Sequence, residues 1–126
     1  MADSVRSLVV GSIANEKGQY DLADIDMPSP FTRMGPGPAH IIKPDLVAYG
    51  GNAGIRPDGN VTTTGVKTFN SSGFLARAVG TSFSTPWVAR IAAELNFLLE
   101  GDFDPLLIKG LMIHNAGYPA GNKMKM

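Results

Sequence analysis

Gly80-Thr81-Ser82-Phe83-Ser84-Thr85-Pro86 is the stretch on which the reading of this chain turns. It joins a β-prone segment, Phe74 to Val79, to a long apolar one. In the latter, Trp87, Val88, Ile91, Ala92, Leu95, Leu98 and Leu99 recur at helical spacing. That spacing predicts a helix from about Ser82 to Glu100 with the stripe turned to the core. Pro86 is compatible with the start of such a helix, because first-turn N–H groups have no partner inside it. A serine here lies beside unpaired backbone N–H groups and the positive end of the helix dipole. Those features stabilise the oxyanion formed when a hydroxyl attacks a carbonyl. The same position also suits an ordinary N-cap serine or threonine, so spacing alone leaves both open. The Gly-x-Ser-x-Gly elbow of α/β-hydrolases does not fit, since Ser84 stands where its second glycine belongs.

Working outward, Ser7-Leu8-Val9-Val10-Gly11-Ser12-Ile13-Ala14 is apolar on both faces, the pattern of a buried parallel strand. Residues 15–40 carry Asn15-Glu16-Lys17-Gly18 and four prolines and are expected to be mostly loop. A short strand is predicted around Leu46-Val47-Ala48. Turns are predicted at Gly50-Gly51-Asn52 and Pro57-Asp58-Gly59-Asn60, and Val61 to Phe69 reads as an extended segment or hairpin arm. Downstream, Asp104 as N-cap and Pro105 at the first helical position open a second helix reaching about Asn115, with Gly117 as its stop. Gly121 to Met126 carries no pattern and is expected to fray. The mixture is that of a single α/β domain over residues 1–126, a parallel sheet packed with these two helices.

Hydrophobic residues make up 44% of the 126 and charged residues only 17%, a globular balance rather than a disordered one. Eleven basic residues offset eleven acidic ones, so there is no electrostatic footprint for nucleic acid or an anionic membrane. No apolar run approaches the ~18 residues of a membrane span. The absence of cysteine excludes disulfides and thiolate metal sites. No metal-ligand cluster stands out; Asp45 and Asp58 could touch a cation, but turn and cap roles are commoner. Asn60-Val61-Thr62 and Asn70-Ser71-Ser72 match the glycosylation sequon, a short pattern often met by chance. Phe83 and Trp87 read as core, with Phe83 able to border a leaving group.

Gly80-Thr81-Ser82-Phe83-Ser84-Thr85-Pro86, followed by Val88-Ala89, closely resembles the nucleophile motif of the subtilisin-like serine proteases. Two further stretches match in order. Ser29-Pro30-Phe31-Thr32-Arg33-Met34-Gly35-Pro36 with Ile42-Lys43-Pro44-Asp45-Leu46-Val47-Ala48-Tyr49-Gly50 is similar to the family's Phe-Ser-x-x-Gly-Pro and Lys-Pro-Asp segments. Asp104-Pro105 through Ala116 resembles the helix after the nucleophile helix, and Val5 to Ala14 the strand after the oxyanion asparagine. The resemblance implies Ser82 as nucleophile, the Ser82 backbone N–H as half of an oxyanion hole, and Gly80, Thr81 and Phe83 as substrate neighbours. Tyr49 replaces a common proline, Trp87 a frequent histidine and Arg90 a frequent glycine, which leaves specificity open.

The family's triad runs Asp, His, Ser along the chain. Here His40 and His114 lack the family's histidine setting and read as structural or solvent-facing, and Asp3, Asp21, Asp24, Asp26 and Asp45 lack its Asp-(Ser/Thr)-Gly. Asn15, Asn52 and Asn60 likewise lack the surroundings of the oxyanion asparagine. The expectation is therefore the C-terminal, nucleophile-bearing part of such a peptidase domain, with aspartate, histidine and asparagine outside this chain. Alone it should be inactive: in subtilisin itself, loss of the serine or the histidine costs about 10⁶ in turnover. Peptide or protein is the expected substrate and no cofactor is expected, although calcium is a frequent ligand in the family. The cut would expose a sheet edge and an apolar face, so self-association is expected. A non-catalytic protease-like scaffold is the alternative, to be separated by an Asp-(Ser/Thr)-Gly and a His-Gly-x-His upstream; a self-contained lipase-like hydrolase is disfavoured by the absent elbow.

Overall fold

Val10–Ile13 (β1) and Leu46–Tyr49 (β4) form the parallel pair at the centre of the fold, in register from Val10 opposite Leu46 to Ile13 opposite Tyr49. The computed structural model describes residues 6–100 and 104–117. Asp3, Val5 and the Gly121–Met126 tail therefore lie outside the described residues. The predicted strand from Ser7 to Ala14 is shorter at both ends than its apolar run. Ala14 is fully buried, yet its N–H bonds to Met27 O and its C=O accepts from Asp26 N, so the loop that follows takes over its backbone groups.

Between β1 and β4 the chain is largely loop, as its prolines predict, with a minimal antiparallel pair, Gly35–Pro36 (β2) against Ile42–Lys43 (β3), flanking a single 3-10 turn. Beyond β4 the chain builds two antiparallel hairpins. Asn52–Ile55 (β5) pairs with Val61–Thr64 (β6), and Val66–Phe69 (β7) with Leu75–Ala78 (β8). The stretch from Val61 to Phe69 is thus two strands broken at Gly65. A side chain at Gly65 would run into the Ala78 backbone, so only glycine lets the hairpins approach there. The turn expected at Gly50-Gly51-Asn52 is confined to the two glycines. Asn52 opens β5, fully buried, with its amide spent on the carbonyls of Glu16 and Ala23.

Two helices complete the chain: Thr81–Leu98 (α1) and Pro105–Asn115 (α2). Asp104 caps α2 as its sequence predicts, accepting from Leu106 N at 2.9 Å and Leu107 N at 3.1 Å. It ends at Asn115, where the sequence places its end, with Ala116 extended and its N–H bonded to Ile113 O. The core lies where α1 and α2 cross the β1–β4 pair: Val88, Ile108 and Met112 are buried, with Leu8, Val10, Leu46, Ala48, Ala92 and Leu95 packed around them. Fully burying a side chain of the size of Val88, Ile108 or Met112 contributes about 1.5–3 kcal/mol.

The helical stripe of α1 is only partly core. Val88 is buried and Ala92 and Leu95 half-buried, but Trp87 is 56% exposed, and Ile91, Leu98 and Leu99 are exposed as well. The reading of Trp87 as core is therefore corrected. Two strands and one helix cover one arc of α1, whereas its apolar residues span a wider one. Trp87 and Ile91 instead border a groove of about 360 Å³ shared with Val47, Leu95, Leu111 and Met112. Pro86 also differs from expectation: it sits inside α1, at the sixth helical position. Having no N–H, it leaves the Ser82 carbonyl without its usual i+4 donor.

A buried charge cluster ties α2 to the strands. Asp45 Oδ2 accepts from Lys43 Nζ and from Val9 N, both at 2.8 Å, and Lys109 Nζ lies 3.3 Å from Oδ1. The side chains of Lys43 and Asp45 are 6% and 8% exposed. Burial alone would raise the Asp45 carboxyl, but the hydrogen bonds from Lys43, Val9 and Lys109 outweigh it and hold the carboxyl below its ordinary value. The cation or turn role weighed for Asp45 gives way to this staple. A carboxylate lowered in the folded state adds stability that is full above about pH 4 and lost as the pH falls below it. Asp45→Ala, which strands the buried Lys43 ammonium, is expected to cost about 3–5 kcal/mol. Asp45→Asn should flatten the decline in urea midpoint between pH 5 and pH 2; an unchanged pH slope would mean that Asp45 is not its source.

Candidate active site

Ser82 stands in the first turn of α1, immediately after the hinge that leaves β8. Gly80 is the N-cap at φ 149°, a conformation rarely open to other residues, and it turns the chain sharply from strand to helix. Its N–H donates to Gly50 O at 2.9 Å, and its C=O accepts from Phe83 N at 3.0 Å. No side chain caps this end of α1. The plain N-cap role that spacing left open for Ser82 is accordingly not the one it has. Its side chain is exposed, and among the described residues none hydrogen-bonds it. Chemically, an exposed hydroxyl at a helix start can attack a carbonyl, and the uncapped backbone amides beside it can donate to the resulting oxyanion.

Thr81 and Phe83 are half-buried on either side of Ser82. Thr81 lines a cleft of about 400 Å³ with Val10, Phe31, Met34 and Pro44; Gly80 and Phe83 do not. Thr81 O also accepts the Thr85 hydroxyl at 2.8 Å. Phe31, from the matched Phe-Thr-Arg-Met-Gly-Pro segment, was not singled out as a site residue, and its place in the cleft comes from β1 and the loop folding together. Tyr49, in place of a common proline, donates its hydroxyl to Asp26 Oδ1 at 2.7 Å; that bond, with some burial and the carboxylate charge, raises the phenol above its ordinary range.

Neither histidine belongs to this constellation. His40 closes the 3-10 turn, exposed and at φ 62°, and His114 is exposed in the last turn of α2. Asp21 accepts from Gly18 N, and Asp24 pairs with Lys17. Asp58 holds its turn by accepting from Asn60 N at 3.0 Å; the bonds from Asn60 keep its carboxyl below the ordinary range. Asn70 likewise braces the β7–β8 turn through Ser72 N and Phe74 N. Among the described residues no three acidic or histidine side chains converge, and Asp45 is already engaged by lysines.

A parallel strand pair packed with two helices defines an α/β protein, in which a glycine hinge sets an exposed serine at a helix start. The Subtilase family model matches residues 2–125, and the chain belongs to that family. An uncharacterized protein, y4bN, of Sinorhizobium fredii (strain NBRC 101917 / NGR234) is 33% identical over 143 aligned positions, covering 94% of this chain. The chain spans 32% of that relative's length. No solved structure matches.

Proposed function

We propose that this chain carries the nucleophile of a subtilisin-like serine endopeptidase. The observation that carries the reading is the exposed Ser82 hydroxyl in the uncapped first turn of α1, within Gly80-Thr81-Ser82. Ser82 Oγ attacks the scissile carbonyl carbon while its proton passes to a histidine base. The peptide C–N bond breaks, the base returns the proton to the leaving amine, and water then hydrolyses the Ser82 ester. The Ser82 N–H supplies half of the oxyanion hole, and Gly80, Thr81 and Phe83 border the substrate. In this proposal the histidine, its aspartate and an asparagine donor come from a part of the enzyme outside these 126 residues, because His40 and His114 sit in exposed positions of other kinds.

A fluorophosphonate probe tests this by intact mass. The full-length polypeptide should gain one phosphonyl group on Ser82, the 126-residue chain none. Ser82→Ala should abolish labelling and leave the unfolding free energy within about 0.5 kcal/mol, the cost of an ordinary surface change, since the hydroxyl caps nothing. A folded full-length protein that resists the probe would sink the peptidase reading in favour of a protease-like scaffold.

On the same proposal, the apolar surface around Trp87, Ile91 and Val47 is covered in the assembled enzyme, and two copies of the isolated chain pair across it. Light scattering at ~100 μM should give a mass above the 13.3 kDa monomer; a monodisperse monomer would contradict the pairing.

A further inference from the structure

Three serine hydroxyls are buried under the start of α1: Ser12 and Ser84 are 0% exposed and Ser29 is 2% exposed. A hydroxyl taken from water is costly unless it is hydrogen-bonded. Ser29 Oγ donates its one proton to Gly51 O at 2.6 Å, so in the 2.8 Å contact between Ser12 Oγ and Ser29 Oγ the donor is Ser12. Those two hydroxyls are therefore satisfied and fasten the loop at Ser29 to β1 and to the glycine pair that ends β4. Ser84 Oγ is different, for it is buried with no partner.

Gly50 is the residue between these groups. A β-carbon placed on it would fall well inside van der Waals contact of both Ser12 Oγ and Ser84 Oγ, and 2.7 Å from Gly80 O. Gly80 N also bonds to Gly50 O. Three groups from the first turn of α1 and its cap thus close on one glycine, and Ser82 is carried between them. Gly50 does not have a positive φ, so what position 50 demands is space rather than an unusual backbone.

Resting on the peptidase reading of Ser82, we propose that Gly50 and Ser84 form a positioning contact that sets the height of the nucleophile above the sheet. Neither side chain touches substrate. Gly50 lets the first turn of α1 settle onto the end of β4, and Ser84 is the surface that settles there. Enlarging the contact from either side lifts the Ser82 end of α1 relative to the base supplied from elsewhere in the enzyme. A displacement of about 1 Å is enough to lower the chemical step by about 10²-fold.

The test uses the full-length polypeptide, with kcat, KM and the rate of Ser82 phosphonylation measured together. Gly50→Ala should lower kcat and the phosphonylation rate by about 10²-fold while KM changes less than threefold. Adding Ser84→Ala, which removes one of the clashing oxygens, should recover at least tenfold of that loss. Because Gly50→Ala can also disturb folding, Ser84→Thr provides an independent arm: it enlarges the contact from the helix side and should show the same split, with the apparent pKa of the base unmoved. A kcat within twofold of wild type in a folded Gly50→Ala or Ser84→Thr protein overturns the proposal. So does a loss confined to thermal stability or KM. An unreactive wild-type enzyme is a different result, for it overturns the peptidase reading itself and the positioning role with it.

Discussion

The 2.9 Å hydrogen bond from Gly80 N to Gly50 O is the constraint around which the other elements arrange themselves. Gly50 follows directly on β4, so its position is inherited from the parallel ladder with β1, and its own N–H returns to Ile13 O at 3.2 Å. Gly80 opens α1. One backbone bond therefore converts the geometry of the sheet into the position of a helix start, across two hairpins that intervene in sequence. Those hairpins need only deliver the chain back to the same point, and their exposed tips, with Phe69 and Phe74 in solvent, make few demands on the core.

Two kinds of packing hold this arrangement together, and their magnitudes differ. The exposed ion pairs Arg90–Glu94 and Arg77–Glu16 are each worth about 0–1 kcal/mol in water. The Lys43–Asp45–Lys109 cluster is buried, and its value lies in what breaking it would leave behind: an ammonium without its carboxylate in a poorly hydrated site. That cluster joins the strand β3, the lead into β4, the backbone at Val9 and the helix α2, while the apolar core at Val88, Ile108 and Met112 joins α1 and α2 to β1 and β4. The polar and apolar contacts thus fix one geometry from two sides.

Much of this was legible before any coordinates. The β1 and β4 runs, the Asp104 cap and the start of α1 after Gly80 are local patterns, and local chemistry decides them: two-sided apolarity, a carboxylate before Pro105, a glycine before a periodic run. The short ladder of β2 and β3 and the break at Gly65 depend on which segments meet, which no window of sequence records. Trp87 illustrates the limit of periodicity. Its place on the apolar stripe predicts burial, but which arc of α1 is covered depends on which elements pack against it. Lysine is seldom buried, and the convergence of Lys43 and Lys109 on Asp45 explains the exception here. The motif singles out Ser82 as a candidate, whereas the meeting of Gly50 with the buried Ser12 and Ser84 is a matter of space that no motif records.

The most direct test of the central claim is an experimental structure of the full-length polypeptide with a phosphonate bound. The account predicts a covalent bond from Ser82 Oγ to phosphorus, with a phosphoryl oxygen about 2.7–3.1 Å from Ser82 N, the span of an oxyanion-hole contact. It also predicts Gly80 N still bonded to Gly50 O. An adduct on another residue, or a phosphoryl oxygen turned away from the start of α1, would contradict it.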